Sequence, residues 1–392
     1  MLVLKLAYRG LIGAGLKTWL KVVVLSMSYF FIIWTQGLYI GMYNSARRHM
    51  IRDDIAGGHY RQEDYDPFNP LSIDDAHAPV PAELEPMVKR GEAMPVLIAN
   101  ATIYPGGRVK TVLMKGIDPA QKTVDMPVAA LAGSSDNLPV MVGKRMAVKN
   151  GLKKGDVMTV RWRDRKGTFD AEEGVITEIM DTMVPTIDVN QIWVPIEKLR
   201  DMTGLRGEAT VVVIGRDAEF PGKLEGWSFQ TQDDLLADLK AGINADRTSL
   251  AVMLTMLLLL AMLAIFDTQI LSIFRRRREI GTLMALGMGR FGVVSLFTIE
   301  GALVGVLAAG VGLFYSAPVL YYTAVKGISI PGSDKIDDYG FAIGSRMYGI
   351  FSAELIAAVV LMIMTVTTVV SYLPARKIAG MKPTEALKGR VT

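Results

Sequence analysis

Four long apolar runs limit what this chain can fold into more than any other feature. The run Val22–Tyr43 holds no charged residue, and the runs Thr248–Phe274, Phe291–Val325 and Met347–Leu373 hold one acid each. A helix of about 20 mainly apolar residues crosses roughly 30 Å of hydrocarbon. Buried helices of soluble proteins average about 11–12 residues and keep a polar face. The sequence therefore predicts a membrane protein with four transmembrane helices.

Composition agrees with this prediction and excludes several kinds of site. The chain has 392 residues and no cysteine, and its mean hydropathy of +0.30 argues against a soluble enzyme. Without cysteine there can be no disulfide, thiolate zinc site, cysteine nucleophile or iron–sulfur cluster. A pI near 9.0 would suit nucleic acid only if the basic residues formed one soluble surface.

The basic residues are instead concentrated in three short segments. Residues 1–21 carry four basic side chains and no acid, and residues 275–290 and 374–392 each carry five against one acid. Segment 44–247 carries 26 basic and 31 acidic residues. Because Lys and Arg near transmembrane helices stay on the cytoplasmic side, both termini and the loop 275–290 are predicted to be cytoplasmic. Segments 44–247 and 326–346 then lie outside, and no nucleic-acid partner is expected.

The predicted fold is a polytopic α-helical membrane protein with an α+β domain inserted between transmembrane helices one and two. Its segments are an amphipathic cytoplasmic helix (1–21), transmembrane helix 1 (22–43), an extracytoplasmic, periplasmic domain (44–247), transmembrane helix 2 (248–274), a cytoplasmic loop helix (275–290), transmembrane helix 3 (291–325), an extracytoplasmic loop (326–346), transmembrane helix 4 (347–373) and a cytoplasmic tail (374–392).

The outer segment shows strand patterns but no catalytic pattern. Its polar, Asp- and Pro-rich start, Arg47–Pro86, is predicted to be a solvated loop rather than a metal site, since it lacks His-x-x-x-His and EF-hand spacing. Short runs rich in Val and Ile predict strands at Met94–Ala99, Val109–Met114, Val157–Trp162, Gly174–Ile179, Gln191–Val194 and Thr210–Ile214, and Leu199–Thr203 and Thr231–Ile243 are predicted to be helical. No nucleophile, base and acid order is readable, so we expect no enzyme activity in this chain.

Three acids inside the apolar runs leave two readings open. Asp267, Glu300 and Glu354 could lie near the interface or snorkel toward it, or they could line a lateral cavity or make a polar contact between subunits. Small residues of the third run, Gly301, Gly305, Ala308 and Gly312 among them, predict close helix packing.

The cytoplasmic loop and the tail carry the motifs of a known family. The loop contains Arg278-Glu279-Ile280-Gly281 followed by Ala285-Leu286-Gly287, and the tail contains Pro374-Ala375-Arg376, Pro383 and Glu385-Ala386-Leu387. With four transmembrane helices and a large outer domain, these motifs resemble ABC transporter permeases of the macrolide-exporter, lipoprotein-releasing and cell-division-permease superfamily. Lys115-Gly116-Ile117-Asp118-Pro119 and the segment 143–160 resemble the lipoprotein-releasing branch most.

This resemblance implies a mechanotransmission machine. Two permease copies or paralogues would pair with two separate ABC-type ATPase subunits, which bind ATP and Mg, since this chain has no P-loop pattern and no cofactor of its own. The loop helix would be a coupling helix that contacts the ATPase. Carried over by motif, its contact residues are Arg278, Glu279, Gly281, Leu283, Ala285, Leu286 and Gly287, and the tail motif comprises Pro374, Ala375, Arg376, Pro383, Glu385 and Leu387. Met284 stands where family members often have Arg.

The implied activity is extraction of lipoproteins from the outer leaflet of the bacterial inner membrane, with the lipid bilayer, a lipoprotein substrate and a periplasmic acceptor as further partners. Two alternatives stay open: export of a peptide or hydrophobic drug through a tripartite assembly, and regulation of an outer cell-wall hydrolase without transport. A membrane-bound enzyme or sensor is disfavoured because it leaves the loop helix unexplained.

Overall fold

A computed structural model describes residue 7 and residues 15–133, 137–182, 184–329 and 346–379. It divides the chain into two compact units. The helical unit comprises the described parts of residues 1–42, 243–329 and 346–392, and the α+β unit comprises the described part of residues 43–242.

The helices have the following bounds. They are α1 (Leu16–Met50, continued by a π-helical turn at Ile51–Ile55), α2 (Glu85–Arg90), α3 (Lys144–Asn150), α4 (Pro185–Asp188), α5 (Ile196–Thr203), α6 (Gln232–Leu235), α7 (Ala237–Arg275), α8 (Arg277–Ala285), α9 (Arg290–Val325) and α10 (Ala353–Ala379). Short 3-10 turns lie at Pro70–Ser72, Pro105–Gly107 and Val128–Leu131.

The strands lie mostly in the α+β unit. They are β1 (Gly58–Gln62), β2 (Ala78–Pro79), β3 (Ala93–Ile103), β4 (Lys110–Ile117), β5 (Leu138–Gly143), β6 (Val157–Arg163), β7 (Phe169–Met180), β8 (Gln191–Pro195), β9 (Glu208–Ala209), β10 (Val211–Ile214), β11 (Trp227–Thr231), β12 (Ile328–Ser329) and β13 (Arg346–Met347).

Four helices of the described chain are long and apolar enough to cross a membrane. The segments that meet this condition are Thr18–Ile55, Ala237–Arg275, Arg290–Val325 and Ala353–Arg376. Within the helical unit, α9 packs along α10, and side chains of α1, α7, α9 and α10 share one apolar cluster that includes Leu25, Leu254, Ala308 and Ile363. The chain is therefore a membrane protein by length and composition of these helices.

One mixed sheet organises the α+β unit. Its nine strands run in the order β11-β1-β10-β3-β4-β8-β5-β7-β6, and β3 also pairs with β6. The first half of β3 pairs with β10 and its second half pairs with β6. The six strands β3, β4, β8, β5, β7 and β6 therefore form a closed ring of paired strands. The strands β11, β1 and β10 extend the sheet beyond this ring.

The strand periodicity explains the two faces of this sheet. Leu97, Met114 and Val194 point into the closed part and belong to its apolar core, whereas their chain neighbours Ile98 and Trp193 belong to a second core on the other face. Successive side chains of a strand point to opposite faces, so both faces of β3, β4 and β8 are covered and these strands read as nearly continuous apolar runs.

The structure corrects the predicted solvated loop at Arg47–Pro86. The first helix continues to Met50 with its π-helical turn to Ile55, and Gly58–Gln62 is the strand β1 inside the sheet. His59 is buried there and its Nε2 lies 3.1 Å from the carbonyl oxygen of Asp54. The prediction was wrong because the pairing of β1 with β10 and β11 cannot be deduced from the composition of the segment. The strands β5 and β11 were also missed.

Candidate functional site

A sharp break between α7 and α8 creates the candidate site of the helical unit. The helix α7 ends at Arg275, and Arg276 has non-helical dihedral angles as the N-cap of α8. The carbonyl oxygen of Arg276 accepts a hydrogen bond from the Ile280 amide at 3.0 Å, which begins α8 directly after the break.

Arg276 connects the short helix α8 to the long helix α9 through two carboxylates. Its Nε lies 2.8 Å from Glu279 Oε2, and its Nη1 lies 2.9 Å from Glu300 Oε2. The Glu300 side chain is 8% exposed, and the guanidinium carbon also lies 5.3 Å from the ring centre of Phe297. A buried carboxylate is strongly destabilising without a partner. Arg276 is therefore the positively charged partner of the buried Glu300 side chain.

Apolar packing fixes α8 against the ends of the long helices. Ile280 is buried and shares a cluster with Ile273 of α7, Val293 and Phe297 of α9, and Ala375 of α10. Met284, one helical turn after Ile280, packs against the same cluster. The short helix α8 is thus packed against the ends of three long helices.

The outward side of this region carries the other predicted contact residues. Arg278, Glu279, Ala285 and Gly287 are exposed, and Leu286 is 80% exposed. Phe291, at the start of α9, is 84% exposed, although sequence reasoning did not single it out.

The apolar side chains of α8 do not form one exposed face. Ile280 and Met284 face the core of the helical unit, so only Leu286 and the half-exposed Leu283 remain of that face. Gly281 is buried against the unit.

A glycine ends α8 and redirects the chain. Gly287 has φ of +98°, a conformation that side-chain-bearing residues rarely adopt. The Met288 amide donates to the Leu283 carbonyl oxygen at 3.0 Å, and the Gly287 amide donates to the Met284 carbonyl oxygen at 3.1 Å. Such bonds satisfy the last carbonyl groups of a helix, so the length of α8 is set by Gly287.

The remaining predicted residues have different surroundings. Asp267 and Glu354 are exposed, and Glu354 lies in the first turn of α10, where an acid suits the helix dipole. In the tail motif, Pro374 and Ala375 are buried at the end of α10, whereas Arg376 is exposed. The tail residues Pro383, Glu385 and Leu387 lie outside the described residues.

Arg276, like Phe291, is a residue that sequence reasoning missed. The run of four arginines from Arg275 to Arg278 is explained by topology alone, and nothing in it singles out the second member. The spacing to Glu279 is a helical i,i+3 spacing, which is the one local signal. The contact with Glu300 depends on the packing of α8 against α9.

No metal centre is part of this site. Within the described ranges, no group of three or more His, Asp or Glu side chains could hold a metal ion. The site consists of the Arg276 ion pairs with Glu279 and Glu300 and of an exposed surface that includes Leu286 and Phe291.

Comparison with known proteins identifies the part of the chain that contains this site. Residues 251–383 match the family model for the FtsX-like permease C-terminal domain. This range includes α8, Arg276, Glu300 and the start of the tail motif. The match covers the segment from within α7 to beyond α10.

Two curated relatives are similar to parts of this chain, one over 133 residues and the other over 262 residues. An uncharacterised ABC transporter permease of Methanocaldococcus jannaschii is 31% identical over 133 residues, which are 34% of this chain and 30% of that protein. The lipoprotein-releasing system transmembrane protein LolC of Xylella fastidiosa is 22% identical over 262 residues, 59% of this chain and 60% of LolC. The chain thus spans less than two thirds of either relative.

A solved structure also aligns with part of the chain. It is the extracellular domain of the noncanonic ABC-type transporter YknZ from Gram-positive bacteria, at 12% identity and a TM-score of 0.24, covering 41% of this chain and 83% of that domain. A TM-score of this size does not establish a shared fold. Residues 251–383 are thus similar to FtsX-like permease domains, and the predicted resemblance of this chain to ABC transporter permeases and to the LolC branch is confirmed.

Proposed function

We propose that this chain is the permease subunit of an ABC transporter in which a separate ATPase drives movement of the α+β unit. The observation that carries the proposal is the double contact of Arg276 with Glu279 and Glu300. A force applied to α8 from the cytoplasm reaches α9 through this ion pair and through the apolar cluster around Ile280.

The exposed surface beside α8 suits a protein partner. Leu286 and Phe291 present two large apolar side chains to solvent, and Arg278 and Arg290 flank them with positive charge. Exposed apolar groups rimmed by charge are typical of protein contact sites. We propose that two ATPase subunits, which bind ATP and Mg, contact this surface in a complex with a second permease copy or paralogue.

The proposed substrate is a lipoprotein in the outer leaflet of the bacterial inner membrane. The similarity to LolC over 262 residues and the segment Lys115–Pro119 support this choice over drug export and over regulation of a cell-wall hydrolase. In this arrangement both termini and α8 lie in the cytoplasm, and the α+β unit lies in the periplasm, where a lipoprotein acceptor would meet it.

ATPase coupling is tested with a charge placed on the proposed contact surface. The chain is reconstituted in nanodiscs with its ATPase, and the ATP hydrolysis rate is compared between wild type and Leu286→Asp. We expect Leu286→Asp to lose most of the stimulation, because an aspartate would be desolvated against the partner. Val148→Asp, which alters an equally exposed apolar residue on α3 (77% exposed), is the matched control and should hydrolyse at the wild-type rate. Wild-type stimulation by Leu286→Asp would remove α8 from the proposal.

The substrate is tested by depletion of the chain in its native cell and fractionation of the envelope. Lipoproteins should accumulate in the inner membrane if the chain extracts them. Normal lipoprotein sorting with raised drug susceptibility would favour drug export. Normal sorting with a cell-separation defect would favour hydrolase regulation.

A further inference from the structure

The α+β unit contains a cavity of about 600 Å³ that the proposed ATPase coupling does not use. Pockets for small molecules commonly have 300–1,000 Å³. The cavity is lined by one face of the sheet strands β11, β1, β10, β3, β4 and β8 together with the turn after α1 and the segment around Val124 and Met126. All of these residues belong to the α+β unit.

Strand register places three basic side chains on this mostly apolar face. His59 is the neighbour of Val213 across the β1–β10 pair, and Arg61 is the neighbour of Val211. Lys115 of β4 lies opposite Ile98 of β3 on one side and Trp193 of β8 on the other. Because every second side chain of a strand shares a face, His59, Arg61 and Lys115 all project to the side that carries the Met94, Val96 and Trp193 core.

Arg61 and Lys115 have no carboxylate within ion-pair distance in the described part of the chain. The Lys115 ammonium lies over the Trp193 ring, 5.0 Å from its centre. The Arg61 guanidinium lies 6.0 Å from the Tyr65 ring centre, and its Nε is buried without a hydrogen-bond partner. Buried polar atoms are normally satisfied, so an unpaired guanidinium nitrogen in a cavity indicates a missing acceptor.

The carboxylates around the cavity do not supply that acceptor. Asp53 is bound by Arg52 and by the Thr182 hydroxyl, and the Thr186 hydroxyl donates to Asp54 at 3.2 Å. Asp234 accepts from Thr231 in the capping box of α6, and both Asp234 and Asp238, which also line the cavity, are exposed. Burial lowers the pKa of the Lys115 ammonium, and this effect outweighs the nearby negative charge of Asp54, which acts in the opposite direction. A bound anion would reverse this effect by stabilising the charged form.

One buried acceptor adds chemical detail. Gln191 is 3% exposed, its side-chain amide nitrogen donates to the Thr186 carbonyl oxygen, and its Oε1 has no partner. Gln191 lines the same cavity. A ligand that satisfies both unpaired atoms must accept a hydrogen bond from Arg61 Nε and donate one to Gln191 Oε1.

We infer that this cavity binds a small amphiphile with a phosphate head group and an apolar tail. Arg61 and Lys115 bind the phosphate, and the tail packs on the Met94, Val96 and Ile98 face. A phosphate monoester near neutral pH retains one hydroxyl in part of its population, and that hydroxyl can donate to Gln191. A carboxylate of the same length provides the anion but no donor. This inference does not depend on lipoprotein release or on ATPase coupling.

The test measures binding of octyl phosphate to the full chain in nanodiscs of zwitterionic lipid by calorimetric titration. Wild type should bind octyl phosphate more tightly than octanoate, and should bind octanol and inorganic phosphate weakly, because each lacks one half of the ligand. Arg61→Met and Lys115→Met should weaken octyl phosphate binding about 10- to 100-fold, the range for a lost charge-assisted hydrogen bond. Lys149→Met removes an exposed lysine from α3 and should bind like wild type.

Two further measurements keep the outcome decisive. Lys115→Arg retains the positive charge and should restore most of the affinity, and a thermal unfolding scan of each variant separates lost binding from lost folding. Equal binding by wild type, Arg61→Met and Lys115→Met would show that octyl phosphate only partitions into the bilayer, and the inference would be wrong. Preference for octanoate over octyl phosphate would overturn the role of Gln191 and the phosphate assignment.

Discussion

Arg276 shows how one side chain determines the character of two acids. Glu279 is exposed and gains little from a surface ion pair, whereas Glu300 is buried and depends on the same guanidinium. Removing the partner of a buried charge costs about 3–5 kcal/mol. Replacing both members by apolar side chains is often neutral. A single variant and a double variant of the Arg276–Glu300 pair therefore distinguish a role in stability from a role in coupling.

A double variant therefore provides the first prediction. Arg276→Met should lower the unfolding temperature in nanodiscs and abolish ATPase stimulation, because Glu300 is left buried and unpaired. Arg276→Met/Glu300→Met should regain much of the unfolding temperature but not the stimulation, since the charged link to α8 is still missing. Full recovery of stimulation in the double variant would show that the pair is structural only.

Asp188 has an equally special position in the α+β unit. Its side chain is fully buried, its Oδ1 accepts from the Arg145 amide at 3.0 Å, and its Oδ2 accepts from the Arg145 guanidinium at 3.1 Å. It thus caps α3, whose N-cap residue is Gly143 and has no side chain to do so. A Cβ at Gly143 would lie 1.8 Å from Asp188 Oδ1, which explains the glycine.

The pH dependence of stability follows from Asp188. Burial raises its pKa from 3.8 to about 6, although Arg145 acts in the opposite direction. Between these values the folded state keeps a proton that the unfolded state has lost, so the free energy of unfolding falls as the pH rises through this window. Above about pH 6 the free energy of unfolding is lower than at pH values below 3.8 by on the order of 3 kcal/mol, at 1.36 kcal/mol per pKa unit.

Asp188→Asn should remove this part of the pH dependence. We expect the difference in unfolding free energy between wild type and Asp188→Asn to change between pH 4 and pH 6 and to be constant at higher pH. Urea unfolding followed by tryptophan fluorescence in nanodiscs measures this difference. A difference that does not change with pH would mean that Asp188 titrates normally.

Among the elements, α9 depends most on small residues. Gly301 lies against Ser371 of α10, and a Cβ there would be 1.9 Å from the Ser371 hydroxyl oxygen. Gly305 lies against Thr367 of α10, and Gly312 against Ser26 of α1. Close approach through glycine is typical of membrane helix pairs. The predicted close packing of this helix is therefore present along two of its neighbours.

Two alanine variants on the same helix test this packing. Gly301→Ala should lower stability by about 1–3 kcal/mol, because overpacking forces the helices apart. Gly310→Ala, where a Cβ would meet open space, should be neutral or slightly stabilising since alanine favours helix. Thermal unfolding of both variants in nanodiscs is the measurement, and equal unfolding temperatures would contradict the packing of α9 on α10.

Element prediction succeeded where the pattern is local. Thr231 and Asp234 form the capping box of α6, at the start of the segment Thr231–Ile243 that was predicted to be helical. It failed at β1, because Gly58–Gln62 is polar on average and its strand character comes from pairing with β10 and β11. The apolar cluster that Ala375 of the tail motif shares with Ile280 of α8 could not be predicted either, since these residues are far apart in the chain.

At the scale of the whole molecule, the net charge of +4 is a sum of unlike segments. The basic segments flank the apolar helices, and the acidic excess is in the α+β unit. This sorting predicts which side of the membrane each segment faces. The chain has no cysteine, so a single introduced cysteine reports its own location.

Cysteine labelling in intact cells should establish the topology. Val148→Cys in the α+β unit should react with a membrane-impermeant maleimide from outside. Thr282→Cys on α8, which is also exposed, should react only after the membrane is permeabilised. Labelling of Thr282→Cys in intact cells would invert the proposed orientation and place α8 away from any cytoplasmic ATPase.

The sequence by itself determined the four apolar helices, the α+β character of segment 44–247 and the resemblance to ABC transporter permeases, because length, hydropathy and short motifs are local properties. Only the tertiary structure decided that Arg276 is the member of the arginine run that meets Glu300, and that Arg61, Lys115 and Gln191 line one cavity. These contacts join residues from separate elements. Sheet register and helix packing bring them together, and both depend on interactions of the whole chain.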